Sequence, residues 1–268
     1  MNIISASRRT DIPACYGDWF YETVNKGECE VTHPFTGKKT MISLRKEDVH
    51  AFVFWSKNYI PFEKNLRAMS DGGYKFYLNY TANNYPRLLE NLLNTNEDII
   101  ENLIFLSGKY RIYWRYDPVY ISDELDPGFH IKNFSYLCRK FEKKADRVIV
   151  NFIQEYPRVI KRICSEKIPS GYRYKNMTDE EKLDLALTLK NIANSHGLKL
   201  YSCTNLLCKG GVALKSHCVD KFLIEEITGK EIQVGESPTY PGCHCHKSMD
   251  IGKYGDCENG CIYCYAKK

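Results

Sequence analysis

Five of the twelve cysteines in this 268-residue sequence fall within its last 26 residues, and three of them read Cys257-Glu-Asn-Gly-Cys261-Ile-Tyr-Cys264. Three thiolates at C-x3-C-x2-C spacing on one tight loop can ligate three irons of a [4Fe-4S] cubane and leave the fourth iron open. An open iron can take a cofactor. In radical chemistry that cofactor is S-adenosylmethionine (SAM), whose amino and carboxylate groups chelate the free iron before an electron cleaves the sulfonium bond. Zinc is the other chemistry these residues allow. A structural zinc site closes with four ligands, and His244 and His246, interleaved with Cys243 and Cys245, could supply the missing donors.

Such a loop needs a rigid body beneath it. Up to about residue 230 the sequence alternates strand-like and helix-like runs, the pattern of an α/β domain with a parallel sheet. Strands are expected at 2–6, 51–55, 75–80, 111–116, 147–152 and 199–203. Asp11 before Pro13 opens a helix that Gly27 stops, and Thr178-Asp-Glu-Glu181 is a capping box for a helix ending at Gly197. Six βα-like units fit a doubly wound sheet or a (βα) TIM-like barrel, partial or complete. The barrel is favoured because nearly every strand runs into a polar cluster, such as Ser7-Arg-Arg-Thr-Asp11, Ser56-Lys-Asn58 and Arg115-Tyr-Asp117. Parallel folds place their chemistry at the carboxyl ends of strands. The expected organisation is a barrel-like domain over 1–230 and an irregular cysteine-rich tail over 231–268, folded over the barrel mouth and ordered by its metal.

The apolar fraction of 43% supports a substantial core, and the net charge of +5 permits an anionic substrate without calling for nucleic acid. No stretch reaches the roughly 18 continuous apolar residues of a membrane span, and the start carries no signal-peptide pattern. A cytoplasmic protein is expected, whose many thiols point to metal or redox chemistry. Cys15, Cys29, Cys138 and Cys164 read as packing residues.

Period-two alternation puts Arg111, Tyr113, Arg115 and Asp117 on one face of a strand. Arg115 and Asp117 could bind a substrate anion or pair with each other. Arg8 and Arg9 precede a helix in an anion-binding kind of turn. Lys57 and Asn58, beside Trp55, complete the mouth.

Several long motifs carry a resemblance: Ile4-Ser-Ala-Ser-Arg-Arg-Thr-Asp-Ile-Pro13, Val53-Phe-Trp-Ser-Lys-Asn58, Trp114-Arg-Tyr-Asp-Pro118, and the ending from Cys243-x-Cys245 through Cys264-Tyr-Ala266. On these the chain resembles the prokaryotic family called domain of unknown function 1848, over nearly its whole length. The terminal cysteines, with Tyr263 just before the last, are similar to the radical-SAM cluster loop. That loop ordinarily follows the first strand of a partial barrel. Here it stands at the other end of the sequence, so the resemblance implies a rearranged topology in which the loop folds back over the mouth. A Gly-Gly-Glu type motif for the SAM amino group is missing, Asn205 replaces the family's usual Glu, and no Gln-Arg pair occurs near Pro238-Thr-Tyr-Pro241.

Cys203 and Cys218 match cysteines of the family pattern and are the expected partners of Cys243 and Cys245 in a second site, an auxiliary [4Fe-4S] cluster or an all-cysteine zinc site. The resulting expectation is a radical-SAM-like enzyme with its cluster on Cys257, Cys261 and Cys264. Tyr263, Arg8, Arg9 and Asn58 would contact the cofactor, and Lys57, Arg115 and Asp117 would act on a small anionic or nucleobase-containing substrate. A reductase, flavodoxin or ferredoxin would be the electron donor. The rival readings are a barrel enzyme with a purely structural cluster or zinc, and an iron-sulfur electron-transfer or redox protein.

Overall fold

The computed structural model describes residues 1–240, 242–255 and 257–267. Pro241, Asp256 and Lys268 of the expected tail lie outside them. In chain order the elements are β1 (Asn2–Ala6), α1 (Ile12–Cys15), α2 (Gly17–Lys26), β2 (Glu28–Thr32), β3 (Lys39–Ser43), β4 (Val49–Ser56), α3 (Glu63–Asp71), β5 (Phe76–Thr81), α4 (Asn96–Ser107) and β6 (Ile112–Val119). Then follow α5 (Pro127–Phe141), β7 (Arg147–Phe152), α6 (Pro157–Ile163), α7 (Asp179–Ser195), β8 (Lys199–Ser202), α8 (Asn205–Lys209), β9 (Leu214–Lys215), α9 (Lys221–Thr228) and β10 (Met249–Asp250).

Eight strands form one parallel sheet in the order β10-β1-β4-β5-β6-β7-β8-β9. From β1 to β9 each crossover steps in the same direction, so the sheet is singly wound. Right-handed crossovers of one sense place their helices on one face. A closed barrel is not formed: β9 pairs with β8 and β10 with β1, which leaves the sheet open. Strand pattern alone could not decide this, because closure depends on stagger between strands rather than on alternation within them. β2 and β3 make a separate antiparallel hairpin.

Alternation then divides the sheet residues. Phe52, Phe54, Leu78, Trp114, Tyr116, Val148 and Val150 face the crossover helices in the main core. Trp114 is fully buried and stacks on Phe134 of α5 at 5.4 Å, with Phe141 edge-on at 4.7 Å. Burying each such ring contributes about 2–3 kcal/mol. On the opposite face Ile3, Val53, Tyr77, Tyr113 and Ile149 pack with Leu223 and Ile224 of α9 and with four cysteines.

Local signals set the helix ends. The Thr178 hydroxyl accepts from the Glu181 amide while Glu181 accepts from the Thr178 amide, closing the expected capping box. The helix expected between Asp11 and Gly27 is two helices, interrupted at Tyr16, whose backbone leaves the helical region at φ −135°, ψ 36°. Among the described residues no helix is long and apolar enough to cross a membrane.

Candidate metal centre

The tail is clipped to the first strand. Asp250 of β10 accepts from Ser5 Oγ (2.9 Å), Ser7 Oγ (2.7 Å) and the amides of Arg8 (2.9 Å) and Gly252 (3.0 Å). Only glycine fits at 252, where a Cβ would stand 2.0 Å from Ser7 Oγ. Arg8 and Arg9 belong to this clip. Arg8 donates to Ser248 Oγ (3.3 Å), Arg9 donates to the Gly252 carbonyl (3.4 Å), and both guanidinium groups lie about 4 Å from Asp250.

From the clip the tail runs across the carboxyl ends of the strands. Asn259 Nδ2 donates to Asp11 Oδ2 (2.7 Å) beyond β1, and the Ile262 amide donates to the Leu89 carbonyl (3.1 Å) beyond β5. Arg162 of α6 donates to the carbonyls of Ile262 and Cys264, and Arg158 to that of Tyr265. The loop so fixed turns Cys257, Cys261 and Cys264 into a single pocket, lined also by Gly255, Gly260, Ala266 and Lys267. The pocket opens partly to solvent, and the space free of protein atoms around these residues is about 300 Å³. The donor set suits a cubane: soft sulfurs from three positions, small residues in the pocket lining (Gly255, Gly260 and Ala266), and a cation nearby.

That cation is Lys57, just past β4. Its ammonium group donates to Glu90 Oε1 (2.9 Å) and lies 5.5 Å from the centre of the Tyr263 ring. Burial works against the charge, but Glu90 and Cys261 outweigh it and hold the Lys57 pKa above its ordinary value. The Tyr263 hydroxyl donates to Glu90, as does Asn83 Nδ2 at 2.7 Å. Burial pushes the Cys261 and Cys264 thiols up. Cys257 is pushed down to about 7, chiefly by a hydrogen bond from Cys15. Cys15 is thus a neighbour of the triplet rather than the packing residue its surroundings in sequence suggest, and Cys164 is exposed. Cys29 and Cys138 are buried as expected.

A second group of thiols lies on the α9-facing side of the sheet. Cys203 at the end of β8 has its sulfur 2.7 Å from that of Cys218. Cys218 is hydrogen-bonded to Cys245, and Cys243 accepts from the Cys245 amide at 3.5 Å. Hydrogen bonding within the group pushes the Cys203 and Cys245 thiols up and the Cys218 and Cys243 thiols down, Cys243 to about 5. Arg115 Nη1 donates to Cys218 Sγ at 2.9 Å, its other arm bonds Asp117, and the guanidinium sits 5.3 Å from the Trp55 ring. Asn151 Nδ2 donates to Asp117 (3.1 Å) and its carbonyl accepts from the Cys203 amide (2.9 Å). The four sulfurs form a chain of contacts. Among the described residues no three ligand side chains already surround a common point.

The two groups are joined by polar side chains: Arg115 to Asp117, the Asp117 amide to Asn83, Asn83 to Glu90, and Glu90 to Lys57. A family model described as Domain of unknown function (DUF1848) matches residues 3–266. The chain belongs to this family. No curated protein matches it.

Within this DUF1848 chain the structure brings Lys57, Tyr263 and the triplet together, and Arg115 and Asp117 with the quartet. Asn58 is consumed locally, its amide donating to Asn94 and its carbonyl oxygen accepting from the Ile60 amide. Asn83 stood in a polar cluster expected at a strand end, Thr81-Ala-Asn83, whereas Glu90 and Asn151 escaped sequence reasoning because nothing in their local sequence marks them. Asp250 stood inside a family motif without a stated role. Cys15 was legible only through its position one short helix beyond Asp11.

Proposed function

We propose that this protein is a radical-SAM-type iron-sulfur enzyme on a partial, open (βα) barrel, holding a [4Fe-4S] cluster on Cys257, Cys261 and Cys264. One observation carries the reading. The triplet loop follows β10, and β10 lies in parallel beside β1 at the edge of a singly wound sheet. Spatially, then, the cluster loop follows the first strand of the series, although in sequence it comes last. In this reading the permuted strand order gives the loop the position that the family resemblance implies.

A cluster with one open iron, when bound, supplies chelation of SAM and its one-electron cleavage. The chain's own residues do the rest. Arg162 and Arg158 hold the loop carbonyls, and Asn259 ties the loop to Asp11. Lys57 places positive charge beside Cys261 and offsets part of the negative charge of a thiolate-ligated cluster. Tyr263, locked by Glu90, gives a flat ring beside that site, suited to stacking on an adenine. An open cleft of about 390 Å³, lined by Gln154, Glu155, Tyr156, Thr204 and Tyr240, lies at the ends of β7 and β8. It is the entrance for a small anionic or nucleobase-containing substrate in this reading. A flavodoxin, ferredoxin or reductase supplies the electron.

The test is anaerobic reconstitution followed by electron paramagnetic resonance of the reduced protein, with and without SAM. A [4Fe-4S] signal that shifts on adding SAM supports the reading; a cluster signal indifferent to SAM overturns it. A second reading rests on Cys15. Its bond to Cys257 would let a fourth thiolate close the cluster, giving an electron-transfer protein. Against it, Cys15 is not among the residues lining the triplet's pocket. If Cys15→Ala creates a SAM response absent from the wild type, the second reading holds.

A further inference from the structure

The quartet on the inner face of the sheet has no part in the chemistry just described. Its sulfurs come from three separate stretches: the end of β8, the segment before α9, and the tail. All four cysteines are between 2% and 4% exposed. Buried thiols of this number, linked sulfur to sulfur, call for soft-metal chemistry, which means zinc or an iron-sulfur cluster. Spacing separates the two. Zinc-thiolate bonds of about 2.3 Å in a tetrahedron set neighbouring sulfurs about 3.8 Å apart. A cubane holds its thiolates outside a core of four irons and so much further from one another. The contact of 2.7 Å between Cys203 and Cys218, with Cys245 hydrogen-bonded to Cys218 and Cys243 to Cys245, lies on the compact side.

The surroundings fit a compact anion. Arg115 is buried and divides its guanidinium between Asp117 and the Cys218 sulfur. A neutral thiol is a poor acceptor for a buried cation, whereas a metal-bound thiolate is a good one. Four thiolates around Zn²⁺ leave two negative charges, one of which a guanidinium can match. The Cys243 sulfur also accepts from Thr239 Oγ1 at 3.6 Å. We propose that Cys203, Cys218, Cys243 and Cys245 bind a single tetrahedral zinc ion, with Arg115 donating to the Cys218 thiolate, and that this ion fastens the tail to the inner face of the sheet. The inference is independent of the radical reading.

The test uses the full chain with the triplet removed (Cys257→Ala, Cys261→Ala, Cys264→Ala), so that failure of the cluster reading leaves it untouched. Purified with zinc and dialysed against EDTA, this protein retains one zinc per chain, and Cys218→Ser with Cys243→Ser in the same background loses it. Because those serines could disturb folding, the protein is also loaded with Co²⁺ in place of zinc. Intense tetrahedral ligand-field bands with sulfur-to-cobalt charge transfer, at the intensity of four thiolates, are expected. Iron and sulfide in place of zinc, an octahedral cobalt spectrum, or no retained metal in a folded chain each overturns the proposal.

Discussion

The two cysteine groups are built in opposite ways. The triplet is local in sequence, three residues within eight, and lies across the ends of the strands beside a buried lysine. The quartet is assembled from distant stretches against the flat of the sheet and is sealed from solvent, with an arginine on one sulfur. A site made by one loop can be left open to a ligand, because the loop touches the body along one side. A site made by converging segments is enclosed by the act of convergence. The first design suits reactivity and the second suits holding the chain together.

The comparison is most exposed to paired cysteine variants. Alanine at Cys261 should abolish iron binding and any SAM-dependent turnover while leaving a folded chain, read by iron content and circular dichroism. Serine at Cys218 and Cys243 together should lower stability by several kcal/mol, because metal binding at such a site is folding energy. In a chain this long each kcal/mol shifts Tm by roughly 2–4 °C, so calorimetry distinguishes the two. Equal losses of stability would dissolve the distinction.

Trp114→Ala probes the other face of the sheet. Removing an indole buried against Phe134 and Phe141 should cost about 3–5 kcal/mol in denaturant unfolding and leave metal content unchanged. A loss of bound metal at full folding would mean that the sheet's two faces are coupled.

His130 supplies a pH-dependent contrast that involves neither the triplet nor the quartet. It is fully buried, its Nε2 facing the Tyr120 carbonyl and its Nδ1 the Tyr116 hydroxyl, and burial pushes its pKa down to about 4. The folded value lies below the unfolded one of about 6.5, so the unfolded chain binds the extra proton first. Stability is therefore full above about pH 6.5 and falls by up to about 3 kcal/mol as the pH drops towards 4. His130→Asn should flatten that slope in urea titrations, whereas a slope unchanged by the substitution would assign the acid sensitivity to the thiol sites. The smallest effect expected is Thr178→Ala, about 1 kcal/mol from the lost cap, with neither metal site altered.

All six strands proposed from alternation exist, since Phe52-Val-Phe and Ile112-Tyr-Trp runs carry their own period. β9 and β10, two residues each, carry no such signal and emerge from pairing alone. The hairpin of β2 and β3 went unread because its strands are half-exposed and its apolar face is narrow, with only Cys29 and Ile42 buried. The triplet was legible because its spacing is itself the chemistry. For the quartet only the Cys243-x-Cys245 pair was legible directly, and its partners needed the family pattern. Cys15 illustrates what stays hidden: a side chain in an apolar stretch reads as core until the tail comes back to meet it. The open sheet belongs to the same class, being a property of stagger between distant strands.

The seam between β10 and β1 also sets a timetable. Asp250 meets Ser5 and Ser7 across 245 and 243 positions. As the chain leaves the ribosome, β1 and β4 through β8 can pair in order of emergence, whereas the clip waits for residue 250 and the triplet for residue 264. In the proposed reading, a metal on the triplet can therefore bind only after the strands that carry the site have been made.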